Sequence, residues 1–150
     1  WLGLSLFYVG AVLFLNGLWM LGKIADKEIW VINIFTGVVS LCIGLASIFG
    51  PAADAASVKS GALTLLFAFT YLWVAFNRFS GADGRGLGWF SLFVAVTAVP
   101  VALDTLTSAS SGLDWWMGIN WAAWAVLWAS LAASRVAWFC SMRAVMSLAN

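Results

Sequence analysis

Hydrophobic residues fill this chain in long blocks, and polar residues collect between them. The blocks span residues 2–22, 29–49, 60–79, 87–106 and 115–134. Each is close to the roughly 20 residues that a helix needs to cross the hydrocarbon core of a bilayer. The pattern predicts an all-α integral membrane protein, a compact bundle of five transmembrane helices forming one domain over residues 1–150. Short joining segments make successive helices antiparallel neighbours. Gly50-Pro51 closes the second block, a polar stretch over 80–86 closes the third, and Pro100 lies inside the fourth. The first block has no basic segment before it and exceeds the roughly 7–15 apolar residues of a signal peptide, so it reads as a permanent helix. After Arg135 the chain runs VAWFCSMRAVMSLAN, apolar but short and interrupted by Arg143. For 136–150 an interfacial helix and an interrupted span both remain open.

Composition agrees with the pattern. Hydrophobic residues make up 64% of the chain and charged residues 9%, against about 25% charged in a soluble domain. Mean hydropathy is +1.01. A net charge of +1 offers no basic field for nucleic acid. The chain has no histidine, and its two cysteines, Cys42 and Cys140, sit in apolar runs without CxxC spacing. That argues against a metal site or other cofactor. The lack of any nucleophile–base pair argues against an enzyme.

The few charges are unevenly placed. Lys23, Lys27, Arg78, Arg85, Arg135 and Arg143 fall on one side of a five-span topology, and Lys59 falls on the other with Asp54, Asp104 and Asp114. Basic residues mark the cytoplasmic side, so the N-terminus is expected outside a cell membrane crossed several times.

Within the blocks, small residues recur every seven positions: Gly3, Gly10 and Gly17; Gly37 and Gly44; Gly61, Ala68 and Ala75. Seven residues return to nearly the same helix face, and small residues let membrane helices approach closely. These stripes are expected to be packing faces. Asn16, Asn33 and Asn120 are expected to bond across helices. Asp104, four residues after Pro100, lies close enough to the end of its block to reach the interface, and is otherwise the candidate for a pore carboxylate or for a coupled proton.

Tryptophan is the unusual residue, with eleven copies. Trp1, Trp19, Trp30, Trp89, Trp115 and Trp138 lie near block ends and suit interface belts. Trp121, Trp124 and Trp128 instead step by three and four along the fifth block, beside Ala122, Ala125, Ala129 and Ala132, with Met117 one turn earlier. Such a stripe either packs with one side towards lipid or forms a flat slot of indole planes for planar, uncharged, polar solutes.

Four segments carry a family resemblance: LGLSLFYVGAVLFLNG at 2–17, LLFAFTYLWVAFN at 65–77, WFSLFVAVTAVP at 89–100 and DWWMGINWAAWAVLW at 114–128. Together they resemble the AmiS/UreI family of urea and short-chain amide channels, colinearly over about 130 residues. The resemblance implies six helices with both termini outside, and a homo-hexamer around a lipid-filled centre. Each protomer would hold its own pore for urea or small aliphatic amides such as acetamide and formamide. It implies pore-lining roles for Leu6, Val9 and Leu13, for Phe69 and Trp73, and for Trp121, Trp124 and Trp128. Trp73 stands where the urea-channel pattern carries Tyr, which weakens the expectation of strict urea selectivity. The proton-gated members carry loop histidines that this chain lacks, so gating in that form is not expected. No sixth helix or its pore carboxylate is recognisable. Two expectations follow: a degenerate last segment, or a chain that continues beyond Asn150.

The sequence therefore points to facilitated diffusion through a narrow aromatic slot, whose apolar walls cannot replace the water of an ion. Two alternatives stand beside it. One is a non-conducting structural or accessory membrane subunit. The other is a proton-coupled carrier using Asp104.

Overall fold

A computed structural model describes the backbone of residues 2–148 and the side chains of residues 3–134. Five helices follow one another: α1 (Leu2–Met20), α2 (Asp26–Phe49), α3 (Ala55–Ser80), α4 (Arg85–Thr107) and α5 (Gly112–Leu148). The first four are long and apolar enough to cross a membrane by length and composition. The chain divides into two compact units, Trp1–Asp83 and Gly84–Asn150.

Within the first unit, α2 packs against both α1 and α3. The turn from α1 to α2 is set by Gly22, whose φ of 71° is a left-handed conformation that glycine adopts freely. There the Gly22 N–H donates to the Trp19 carbonyl at 2.8 Å and the Lys23 N–H to the Leu18 carbonyl at 2.9 Å. These paired bonds satisfy carbonyls left over at the helix end. Asp26 and Glu28 in the first turn of α2 complement the positive end of the helix dipole.

Helix α3 starts at Ala55, five residues before the hydropathy block. Asp54 caps it: the Ser57 N–H donates to the Asp54 carboxylate at 2.7 Å, and the Asp54 N–H donates to the Ser57 hydroxyl at 2.8 Å. This reciprocal cap adds a polar first turn that an apolar pattern cannot show. The Ser57 backbone N–H holds the Asp54 carboxyl below its ordinary value.

The α2–α3 seam is built on glycine. A Cβ at Gly37 would lie 2.7 Å from Leu72 Cγ, one at Gly44 2.8 Å from Leu65 Cδ2, and one at Gly61 2.8 Å from the Gly44 carbonyl oxygen. Close backbone approach lets van der Waals packing hold membrane helices where lipid removes the hydrophobic drive. The expectation for these stripes is met. It fails for α1: a Cβ at Gly3, Gly10 or Gly17 would meet nothing within 4 Å. That stripe is exposed, and α1 turns another face to α2.

That other face is polar. Asn16 and Asn33 exchange amide hydrogen bonds at 3.2 and 2.8 Å, and the Asn33 Nδ2 also donates to the Ile29 carbonyl at 2.9 Å. The Thr36 hydroxyl lies 3.5 Å from the Tyr8 carbonyl it donates to. Ser40, one turn further on, is fully buried, and its hydroxyl has no partner among the described residues.

The second unit is the α4–α5 pair. They approach closely at Gly118, where a Cβ would lie 2.6 Å from Leu106 Cγ and 3.2 Å from its backbone nitrogen. Stepping antiparallel from that contact brings Trp121 within one residue of the level of Ala102 and Trp128 within one residue of the level of Ala95. All four are buried, so bulky indoles on α5 alternate with small residues on α4. Ser111 and Asp114 open α5. Asp114 accepts from the Ser111 N–H at 2.9 Å and from its hydroxyl at 2.8 Å, and that hydroxyl bond is the main cause of a lowered carboxyl pKa. Helix α5 continues without a break to Leu148. Residues 136–148 thus belong to the same continuous helix as the fifth apolar block. At about 1.5 Å per residue, its 37 residues are longer than a bilayer core needs. The side chains of Trp1, Trp138, Cys140 and Arg143 lie outside the described residues.

Candidate functional site

On α1, Leu6, Val9 and Leu13 share a face. Val9 is buried, and the two leucines are half-buried. Val9 lies at the edge of this stripe and also beside the line of buried Ser5 and Val12 and half-buried Asn16 that adjoins α2.

On α3, Phe69 and Trp73 are one turn apart and 45% and 37% exposed. They project from the flank of α3 beside its α2-facing edge. The opposite flank buries a different aromatic pair, Phe67 and Tyr71, with ring centroids 6.5 Å apart and planes tilted by 33°. Because α1 and α3 both pack on α2, the leucine stripe and the Phe69–Trp73 pair are not brought together by helix packing within this unit.

On α5, Trp121, Trp124 and Trp128 are 8%, 8% and 4% exposed. The three indoles are buried, which goes against the alternative of a stripe with one side towards lipid. Trp121 and Trp124 have centroids 5.1 Å apart and planes at 88°. This neighbouring pair is edge-to-face, not a parallel stack. An indole face is electron-rich and its edge electron-poor. Within the pair the edge of one ring meets the face of the other.

The remaining polar residues separate by position. Asp104 is exposed near the end of α4. Asn120 donates to the Trp116 carbonyl of its own helix at 2.8 Å and not across helices, unlike Asn16 and Asn33. Cys42 is exposed on α2 with a free thiol. Among the described residues no three His, Cys, Asp or Glu side chains converge as a metal site would need.

Sequence reading missed one cluster. At the end of the first unit that carries Lys23 and Lys27, the Trp19 indole N–H donates to the Asp26 carboxylate. Arg78 lies 3.8 Å from that carboxylate and 5.3 Å from the Trp19 ring centre. Trp30 packs edge-on to Phe79 beside it, at 6.3 Å. Arg78 thus joins the ends of all three helices. The available signal was a cation and an anion at helix ends that antiparallel topology places together.

Helices of this length and composition, with the described charged groups gathered near their ends, define an all-helical, multi-pass membrane protein. Residues 1–137 match the AmiS/UreI family of transporters, and the chain belongs to that family. It is 42% identical over 126 residues to a Mycolicibacterium smegmatis protein described as a transporter of amidate substrates, covering 84% of this chain and 58% of that one. It is 37% identical to the acid-activated urea channel of Helicobacter pylori, covering 85% of this chain and 78% of the channel. It therefore spans less than two thirds of the mycobacterial relative. Among solved structures, the H. pylori urea channel in its closed state matches with a TM-score of 0.80 and 37% identity, over 91% of this chain and 81% of that one. A crystal structure of the same channel matches with a TM-score of 0.75 and 39% identity, over 87% of this chain and 78% of that one.

Proposed function

We propose that this chain is a passive membrane channel for urea and small aliphatic amides. The supporting observation is the TM-score of 0.80 with a urea channel over 91% of the chain. The residues that the family resemblance assigns to the path are Leu6, Val9 and Leu13 of α1 and Phe69 and Trp73 of α3 in the first unit, and Trp121, Trp124 and Trp128 of α5 in the second. The perpendicular pair Trp121 and Trp124 suits an amide in particular. The electron-rich face of one ring attracts amide N–H groups, and the electron-poor edge of the other attracts the carbonyl oxygen. A hydrated ion finds no such compensation for its lost water. Trp73, bulkier than the tyrosine of the urea-channel pattern and without its hydroxyl, favours amides beyond urea.

Within these 150 residues conduction does not depend on histidine protonation, because they contain no histidine. The unit that conducts is the protomer, assembled as a homo-hexamer in a cell membrane with its N-terminus outside. Purified protein in liposomes tests this. Acetamide and urea should enter faster than in empty liposomes without saturating, and glycerol should not. Entry no faster than in empty liposomes, from protein shown to be assembled, would instead indicate an accessory subunit.

A further inference from the structure

A groove of about 330 Å³ runs along α1 and α2 in the first unit. Leu15, Ile24, Val31, Ile32 and Phe35 line it, and Glu28 is its charged wall residue. Glu28, Val31, Ile32 and Phe35 step by three and four along one face of α2. At 1.5 Å per residue, the groove runs about 10 Å from Glu28 to Phe35. The apolar block of α2 begins at Ile29, so the charged mouth lies at headgroup level and the apolar floor lies in the hydrocarbon.

Size and charge narrow the occupant. A space of about 330 Å³ extending over about 10 Å is enough to take a segment of a polymethylene chain. At the mouth, Lys23 precedes Ile24 and Lys27 precedes Glu28. Both lysines are exposed and have no ion-pair partner among the described residues, whereas Asp26 between them is engaged by Arg78 and Trp19. Two cations that flank lining residues in sequence and one carboxylate in the groove wall complement a phosphate and a primary ammonium carried on an acyl chain. A phospholipid without the amine leaves Glu28 facing a phosphate. A choline lipid offers Glu28 no N–H donor.

We propose that the α1–α2 groove seats an acyl chain of an aminophospholipid of the phosphatidylethanolamine class, with its phosphate at Lys23 and Lys27 and its ammonium at Glu28. The site is independent of what the chain conducts.

The test is lipid retention by the full chain in detergent, read by native mass spectrometry. Phosphatidylethanolamine, phosphatidylcholine and phosphatidylglycerol with identical acyl chains are titrated in turn. Wild type should retain phosphatidylethanolamine best. Glu28→Gln should abolish its advantage over phosphatidylcholine. Replacing Lys23 and Lys27 by Ser should weaken its retention about fivefold per lysine. Val31→Trp, which fills the groove, should lower retention of all three. These positions are exposed, so thermal midpoints should stay near wild type and separate lipid loss from unfolding. Equal retention of phosphatidylethanolamine and phosphatidylcholine by wild type, a preference unchanged in Glu28→Gln, or stronger retention of phosphatidylglycerol would each overturn the proposal.

Discussion

Replacing Gly61 by Ala puts a methyl carbon 2.8 Å from the Gly44 carbonyl oxygen, 2.7 Å from Ile48 Cγ1 and 3.1 Å from Ser47 Cβ. The isoleucine carbon can rotate away; the carbonyl oxygen belongs to the backbone of α2 and cannot. Restoring ordinary contact requires α2 and α3 to part by about 0.6 Å along a seam otherwise tight at Gly37 and Gly44. Overpacking of this kind costs about 1–3 kcal/mol, partly offset by the roughly 1 kcal/mol by which Ala exceeds Gly as a helix former. Gly10→Ala makes the same chemical change on α1 where a Cβ meets nothing within 4 Å, so only the propensity gain remains. The two variants should therefore differ in stability by about 1–3 kcal/mol, Gly10→Ala being the more stable. Gly44→Ala should fall between them, because its nearest neighbour is the movable end of Leu65. Unfolding followed by circular dichroism in one detergent measures all three. If Gly61→Ala matches Gly10→Ala, the α2–α3 seam is not closed by backbone contact. If Gly10→Ala falls below wild type, the glycine face of α1 is packed after all.

Three further outcomes follow from the same geometry. Asn16→Leu leaves the buried Asn33 carbonyl oxygen without its donor and should cost about 0.6–2 kcal/mol. The Asn16→Leu/Asn33→Leu double variant should lose less than the sum of the singles, and additive losses would show that the amides are not coupled. Trp128→Ala removes a buried indole and should cost about 3–5 kcal/mol, while Trp124→Ala and Trp128→Ala should both shift the relative entry of small and large amides. Unchanged flux and selectivity in both would remove these indoles from the path. The Asp54 carboxyl is held below its ordinary 3.8 by the Ser57 N–H, so its contribution is complete above that pH and is lost as pH falls through the depressed folded value. Hydrogen exchange at the Ser57 amide, compared with Asp54→Asn, should show no pH-dependent loss of cap protection between about pH 5 and 8, and a loss in that window would contradict the assignment.

The helical architecture was legible because the bilayer imposes a length on apolar blocks, and five blocks became five helices. Boundaries were less so. Helix α3 begins at Asp54–Ser57, where a polar cap does the work, and α5 passes Arg135 because a backbone helix does not end where its hydropathy drops. Heptad glycines marked the α2–α3 seam at Gly37, Gly44 and Gly61 and misled at Gly3, Gly10 and Gly17. Spacing shows that small residues share a face, not whether a neighbour comes to it. Asn16 and Asn33 were recognised as cross-helix bonds because an amide in hydrocarbon needs a partner, whereas Asn120 found one in its own helix. Among the candidate path residues, the stepping of Trp121, Trp124 and Trp128 showed one stripe. Its burial and the perpendicular rings depend on the small residues of α4, which no pattern within α5 encodes. Exposure of Phe69 and Trp73 beside buried Phe67 and Tyr71 depends likewise on which flank of α3 is covered.

The most direct test of the proposed channel is stopped-flow light scattering from proteoliposomes containing assembled protein, comparing urea, acetamide and glycerol at an acidic and a neutral pH. The channel account predicts rapid, non-saturating entry of urea and acetamide, little difference between the two pH values, and glycerol entry near that of empty liposomes. Amide entry indistinguishable from empty liposomes, or entry that saturates and follows an imposed proton gradient, would contradict it.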